Sequence, residues 1–280
     1  MTLQFDSPHP EHVPVRDAAT VMLVRDGVQG LEVCLLRRNL QSDFVGGAYV
    51  FPGGGVDDED AAPDALALTT GPPDVEASRL TGVASGGLAF WVAAIRESFE
   101  EAGLLLACGA EGELVDLDGD PKVTARFAAH RHEVDTGRLG LAEMCRREGL
   151  RLATHGLHAF ARWITPLGAP RRYDTRFFVA LAPRHQTALH DDREVIAHLW
   201  VRPADALERH ATGELPMIFP TVRSLEAIDR FSGARDVVEH AEMIGTVEAV
   251  LPTVREDASG LRIVLPGDEE YDAITSRRLG

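Results

Sequence analysis

The sequence predicts a mixed α/β (α+β) fold, on three observations. Short runs rich in branched and apolar residues, separated by Gly and Pro turns, open the chain. A helix with an apolar stripe and a cluster of acids follows, then further strands, then a series of helical segments. The 280 residues are 45% hydrophobic and 26% charged, an ordinary globular make-up that buries enough apolar surface to fold without staples.

Taken in order, Ala18–Arg25 reads as a strand, Asp26–Gly30 as a turn with two glycines, and Leu31–Arg37 as the returning strand. Ala48–Phe51 is a third, short strand. Pro52 ends it by removing a donor, and Gly53, Gly54 and Gly55 relax the backbone beyond. Asp57–Gly87 is acid-, Pro- and Gly-rich and reads as a surface loop with one helical turn at Ala65–Thr69. Leu88–Leu106 reads as a helix running into an apolar strand, with Phe90, Ala94, Ile95, Ser98 and Phe99 at helical spacing and Gly103 as the C-cap. Pro121–Gly149 predicts two helices. Ala159–Thr165, Arg176–Leu181 and Leu199–Arg202 predict strands. Ala204–Ala211, Phe219–Phe231 and Ala234–Ile244 predict helices, and Val247–Val254 and Leu261–Leu265 are short apolar runs around a turn.

Charge narrows the function classes. Twenty-eight Lys and Arg oppose 44 Asp and Glu, for a net charge of −16. That balance argues against nucleic-acid binding, which depends on neutralising phosphates, and against an anionic membrane surface. It leaves room for a polyphosphate substrate met by a divalent cation. There is no run of 18 or more apolar residues, and Met1–Pro14 lacks the basic-then-apolar order of a signal peptide. Cys34, Cys108 and Cys145 are widely separated and odd in number, so buried free thiols in a reducing cytoplasm are expected. His130 with His132, and His155 with His158, have no further ligands at suitable spacing and read as surface residues.

Arg96-Glu97-Ser98-Phe99-Glu100-Glu101-Ala102-Gly103 is the most informative string. On a helix, positions 97, 100 and 101 stand at i, i+3 and i+4 and share one face. Three adjacent carboxylates repel and raise one another's pKa, and Arg96 neutralises only part of that charge. A solvated acidic face is the plain alternative. A hard divalent cation, Mg²⁺ or Mn²⁺, resolves the conflict, since such ions favour carboxylate oxygens. The Glu-x-x-His pairs of a di-iron bundle are absent.

Gly53-Gly54 after Phe51-Pro52, then an acid, then Arg-Glu-x-x-Glu-Glu-x-Gly-apolar resembles the Nudix box. Five residues after Gly54 comes Asp60, in the position of the first box Glu. The motif then expects Arg eight positions on, whereas Arg96 lies 36 on, so 28 residues are inserted and the box is split. Asp60 is shorter than the usual Glu, and Ser98 stands where the motif has an apolar residue. Trp163-Ile164-Thr165-Pro166, Arg171-Arg172-Tyr173-Asp174-Thr175-Arg176-Phe177-Phe178 and Leu265-Pro266-Gly267-Asp268-Glu269 are similar to segments of the peroxisomal acyl-coenzyme A diphosphatase-like branch and its bacterial relatives. The resemblance covers roughly residues 15–272.

The resemblance implies an α/β/α sandwich with a mixed sheet and one domain over 1–280. Its core would be about 15–205, its box 54–104 split by an insertion at about 61–88, and its tail a mainly helical extension over 206–280. Glu97, Glu100, Glu101 and the Gly54 carbonyl would hold Mg²⁺ or Mn²⁺, and Arg96 would organise the carboxylates. The catalytic base would be a box Glu such as Glu100 or Glu101, or Glu194 in Asp191-Asp192-Arg193-Glu194. Arg37, Arg171, Arg172 and Arg176 are candidates for gripping phosphates, and Tyr173 and Trp200 for stacking on adenine. Pro121–Leu152 and Pro203–Ile244 are extra to a minimal core and would serve as a lid, a substrate wall or a homodimer interface.

The expected activity is diphosphate hydrolysis in a nucleoside diphosphate derivative, coenzyme A or an acyl-coenzyme A first, giving 3′,5′-ADP and a phosphopantetheine product. ADP-ribose, NADH or a dinucleoside polyphosphate is the second reading, and a non-catalytic ligand-binding regulator the third. Glu100→Gln with Glu101→Gln separates the third from the others.

Overall fold

The computed structural model describes residues 12–40, 46–189, 194–257 and 260–271. Residues 1–11, 41–45, 190–193, 258–259 and 272–280, which include Asp191, Asp192 and Arg193, lie outside the described residues.

The centre is an eight-stranded mixed sheet. Strand β1 (Val15–Gly27) turns back into β2 (Gly30–Arg38), and β3 (Tyr49–Val50) and β4 (Gly53–Gly55) follow. β7 (His158–Ile164), β8 (Arg172–Leu181), β9 (Val195–Val201) and the two-residue β10 (Ala249–Val250) complete it. The path runs β10-β7-β8-β1-β2-β3, with β4 on β1 and β9 on β2. β1 and β8 run parallel, with Ala18 opposite Thr175 and Val21 opposite Phe178, while β7 and β8 are antiparallel.

Central strands bury both faces, so their side chains divide by parity. Ala19, Val21 and Leu23 of β1, Cys34 and Leu36 of β2, and Phe178 and Ala180 of β8 enter one core. Met22 and Val24, Leu31, Val33 and Leu35, and Phe177 and Val179 enter the other. The result is the three-layer sandwich expected.

The first core is covered by α3 (Leu88–Ala102), in which every residue from Leu88 to Arg96 is buried. Leu-Ala-Phe-Trp-Val-Ala-Ala-Ile is apolar all round, and such a helix must be covered on its outer side as well as its sheet side. The split-box insertion helps provide that cover. It is not a loop with one helical turn: it forms α1 (Pro63–Leu66) and α2 (Asp74–Thr81), whose Ala65 and Ala77 pack into the same core. α4 (Pro121–Asp135) adds Phe127 and Val134, and α5 (Leu141–Glu148) adds Met144 and Cys145. β5 (Ala107–Cys108) pairs with β6 (Arg151–Leu152) as a small separate sheet. Trp91 anchors the helix. Its indole N–H donates to the Leu157 carbonyl at 3.0 Å, and its ring lies 4.6 Å from Phe178.

The second core is closed by α6 (Pro203–Ala211), α7 (Phe219–Ile228) and α8 (Ala234–Glu242). Ala206, Leu225, Ile228, Val237 and Ala241 lie in one cluster with Met22, Leu31 and Val179. Pro203–Ile244 is therefore the third layer of the sandwich rather than an addition to it. Without it the odd-numbered residues of β2 and β8 would face water. The tail beyond is not helical but extended: β10 joins the sheet, and β11 (Thr253–Asp257) pairs with β12 (Gly260–Val264) as a hairpin. Among the described residues no helix is long and apolar enough to cross a membrane.

Cys34, Cys108 and Cys145 are buried and unpaired, as expected. Burial pushes the Cys34 and Cys145 thiols up to about 12, so neither is a nucleophile at neutral pH.

Candidate active site

The acid cluster lies on the last turns of α3, against the glycine turn of β4. Both ends of α3 are held from far along the chain. At the N-terminus Gly87 offers no side chain, and Asp74 of the insertion supplies the cap. Its carboxylate accepts from Leu88 N and Gly86 N, each at 3.0 Å. Ser78 Oγ accepts from Gly87 N at 2.9 Å. At the C-terminus Gly103 adopts the left-handed conformation (φ 68°) and stops the helix, as its position predicts.

Arg96 is the hub. Its Nε and NH2 meet the two carboxylate oxygens of Asp60 at 3.0 and 2.9 Å, and NH2 also donates to the Gly55 carbonyl at 2.8 Å. NH1 reaches Glu97 at 2.8 Å and Glu100 at 3.0 Å. Burial works against its charge, but Asp60, Glu97 and Glu100 hold the guanidinium firmly protonated. Arg96 thereby ties Asp60, the acid in the first box position, to Glu97 and Glu100. Ser98, the departure from the apolar box position, is fully buried and donates to the Leu104 carbonyl at 2.7 Å, so its hydroxyl costs little.

The three glutamates divide by partner. Glu97 and Glu100 face Arg96, while Glu101 accepts from Gly53 N at 2.9 Å. Burial, opposed by Arg96, raises Glu97 and Glu100 to about 7. Burial and the charge of Glu97 raise Glu101 well above the usual carboxylate range. Gly54 lets the Glu97 carboxylate lie against the turn: a Cβ there would come 2.4 Å from one of its oxygens and displace it.

Among the described residues no three acid, imidazole or thiol side chains already converge as a cation cage. The donor set nevertheless fits a hard cation. One buried and two half-buried carboxylates of raised pKa share one helix end, with a single guanidinium between two of them, and ligating a cation requires Glu97 and Glu100 to turn from Arg96.

Glu194 is brought to this site. It is exposed at the start of β9, its carbonyl accepts from Asn39 N at 2.8 Å, and its charge is one of those that raise Glu101. A bulge helps place it, since Arg37 pairs with Ala197 but Arg38 with Val195, leaving Ile196 extra. Arg38, which the sequence did not single out, lies near enough to oppose the rise at Glu101.

The arginine candidates fare differently. Arg37 is half-buried with its guanidinium 5.9 Å from the Tyr49 ring. Arg171 is exposed at the edge of β8. Arg172 is 9% exposed and donates to the Thr165 carbonyl, and burial lowers its pKa. Arg176 is 2% exposed. It lies 4.2 Å over Phe90 and pairs with Asp17 at 2.8 Å and Asp174 at 3.1 Å. Arg176 is thus engaged by carboxylates inside the protein, and Arg172 is buried against the Thr165 carbonyl. Arg176 and Phe178 of β8 face α3, and the Arg176 guanidinium, buried with its own carboxylates, has little to offer a phosphate.

Trp200 is covered by Arg25 at 4.0 Å. Tyr173 is half-buried in β8, opposite Arg16. Two of the histidines are more enclosed than expected: His130 packs on Phe127 and meets Glu148 at 3.0 Å, and burial lowers the pKa of His158.

The model of the NUDT19 Nudix domain matches residues 75–228. The acyl-coenzyme A diphosphatase NUDT19 of Gallus gallus is 30% identical over 91% of this chain and 79% of that protein. The chain belongs to the NUDT19 Nudix family. The Homo sapiens protein of the same name is 28% identical over 87% of this chain and 73% of its own length. The crystal structure of a NUDIX hydrolase from Alicyclobacillus acidocaldarius superposes with a TM-score of 0.70 at 28% identity, over 85% of this chain and 99% of that one. This Nudix enzyme is therefore a diphosphatase by family, and its Nudix box is interrupted by a folded helical pair.

Proposed function

We propose that the protein hydrolyses the diphosphate of coenzyme A and acyl-coenzyme A, yielding 3′,5′-ADP and (acyl-)phosphopantetheine, with Mg²⁺ or Mn²⁺. The observation that carries this is the trio of enclosed glutamates, Glu101 buried and Glu97 and Glu100 half-buried, at the end of α3 against the Gly53–Gly54 turn. Relatives that are acyl-coenzyme A diphosphatases by name support the choice of substrate.

Glu97, Glu100, Glu101 and the Gly54 carbonyl are the residues that would hold the cation. When bound, the cation offsets diphosphate charge and makes water more acidic. Arg96 keeps the carboxylates on one side of the helix. Glu194, exposed beside Glu101, accepts the proton of the attacking water at its carboxylate. The P–O–P bridge oxygen leaves on the second phosphate, so one water gives two phosphomonoesters.

Charge orients the substrate. On the Glu100 side a cavity of about 240 Å³ is lined by Asp57, Asp58, Glu59, Val134 and Leu139, with Arg96, already bonded to Asp60, Glu97 and Glu100, at its wall. Its acids repel phosphate and accept hydroxyl and amide donors, which suits the pantetheine arm. Arg37, Arg38 and Arg171 are the cations we assign to the nucleotide phosphates. Three unpaired thiols support the cytoplasmic reading.

The test is a panel of coenzyme A, an acyl-coenzyme A, ADP-ribose, NADH and a diadenosine polyphosphate with Mg²⁺ or Mn²⁺, products resolved by chromatography. Release of 3′,5′-ADP from the coenzyme A species, abolished in the Glu100→Gln/Glu101→Gln protein, is expected. Cleavage of the others alone overturns the substrate but keeps the chemistry. No cleavage overturns both.

A further inference from the structure

The C-terminal carbonyls of a helix lack intrahelical donors, so each must find one elsewhere. In α3 most are served by backbone. Phe99 O accepts from Gly103 N at 3.0 Å, Ser98 O from Leu104 N at 3.2 Å, and Ala102 O from Leu189 N at 2.9 Å. The carbonyls of Glu100 and Glu101 remain, and both are met by one side chain. Arg131 of α4 donates to Glu100 O through Nε at 2.9 Å and NH2 at 2.8 Å, and NH2 also donates to Glu101 O at 3.0 Å. Gly103 leaves room for it, since a Cβ there would come within 3.1 Å of Arg131 NH1.

A planar fork bonded to two successive carbonyls fixes two peptide planes together, which an ammonium on a flexible stem does not. Those planes set the direction in which the Glu100 and Glu101 side chains leave the helix. The guanidinium charge also sits at the negative end of the helix dipole, where it is favoured. It comes from a helix that the sequence reading placed outside the minimal core.

We propose that Arg131 is a positioning residue of the diphosphatase site: through the backbone of Glu100 and Glu101 it sets the geometry in which those carboxylates take the divalent cation. It touches neither cation nor substrate. The proposal rests on the reading that these glutamates hold the cation.

Mn²⁺ affinity, measured calorimetrically without substrate, is the first readout, with kcat, KM and thermal midpoint beside it. Arg131→Gln is expected to weaken Mn²⁺ binding about tenfold and lower kcat about 10- to 100-fold, with KM for coenzyme A within about twofold of wild type. Arg131→Lys should recover part of both, because one donor can serve one carbonyl. Arg126→Gln, on the same helix and paired with Glu148, should change neither. Unchanged Mn²⁺ affinity and kcat with only a lower thermal midpoint would make Arg131 a structural cap and overturn the proposal. If Arg131→Gln does not fold, Arg131→Lys decides: a folded protein with wild-type affinity overturns the proposal, and weakened affinity supports it. Wild-type protein that binds Mn²⁺ but cleaves no diphosphate removes the functional reading while the affinity comparison still judges Arg131. Wild-type protein that binds no Mn²⁺ removes both.

Discussion

Arg96 and Asp60 form a two-point bridge at 3.0 and 2.9 Å across 36 residues of chain, pinning the root of the insertion to the acidic end of α3. Asp60 is 2% exposed, and the other face of the same guanidinium holds Glu97 and Glu100. Removing one partner strands the other in a buried place. Asp60→Ala should therefore cost about 3–5 kcal/mol in urea unfolding. A loss below about 1 kcal/mol would mean that Arg96 is sustained by the glutamates alone.

Asp74 should matter more for stability than its place in a surface insertion suggests. It caps Leu88 N and Gly86 N, and these bonds hold its pKa below the ordinary value, with Leu88 N the main cause. Asp74→Ala is expected to lower the unfolding free energy by about 1 kcal/mol while leaving the site's residues unchanged. An unchanged denaturant midpoint would show that water caps α3 equally well.

Cation binding and pH should be linked with a definite sign. Folding raises Glu97 and Glu100 from 4.5 to about 7, burial being the main cause. Between those values the folded chain holds more protons than the unfolded chain, so without a cation stability falls as pH rises through that window. The penalty is complete above about 7, where a divalent cation does most to relieve it. The gain in thermal midpoint from Mn²⁺ should be larger at about pH 8 than at about pH 5.5. Calorimetry at the two pH values checks this, and an equal gain at both would contradict it.

Arg176 should behave as a core residue. Its partners are Asp17, Asp174 and the face of Phe90. Asp17 is largely exposed and Asp174 keeps Arg162, so Arg176→Met is expected to lower stability by only about 1 kcal/mol and to leave KM for the substrate unchanged. A raised KM with normal stability would restore the phosphate-binding role that its sequence neighbours suggest.

Legibility in the sequence followed the range of the interactions. The helix from Leu88, the Gly103 stop, the first hairpin and the shared face of Glu97, Glu100 and Glu101 all follow from periods and caps within one segment. The insertion was misread because α1 and α2 are short and weakly patterned. They are helical because α3, apolar all round, needs an outer cover. The burial of Arg172 and Arg176 is not legible in the sequence because a run of arginines carries no mark of which residues point inward. The parity of β8 against β1 decides that, and only the parallel register reveals it. Asp74 and Arg131 left no local signal, since each serves a helix end at least 12 residues away.

The sequence by itself determined the mixed α/β class, the helix that bears the acids and the identity of the carboxylates that share its face, because each is a matter of periods and spacing within single elements. Tertiary structure decided that the final helices are the third layer, that Glu97 and Glu100 turn to Arg96 while Glu101 turns to Gly53, and that Asp74 and Arg131 hold the two ends of α3. Those choices depend on which backbone donors, acceptors and apolar faces are left unsatisfied once the sheet has formed, and distant segments satisfy them.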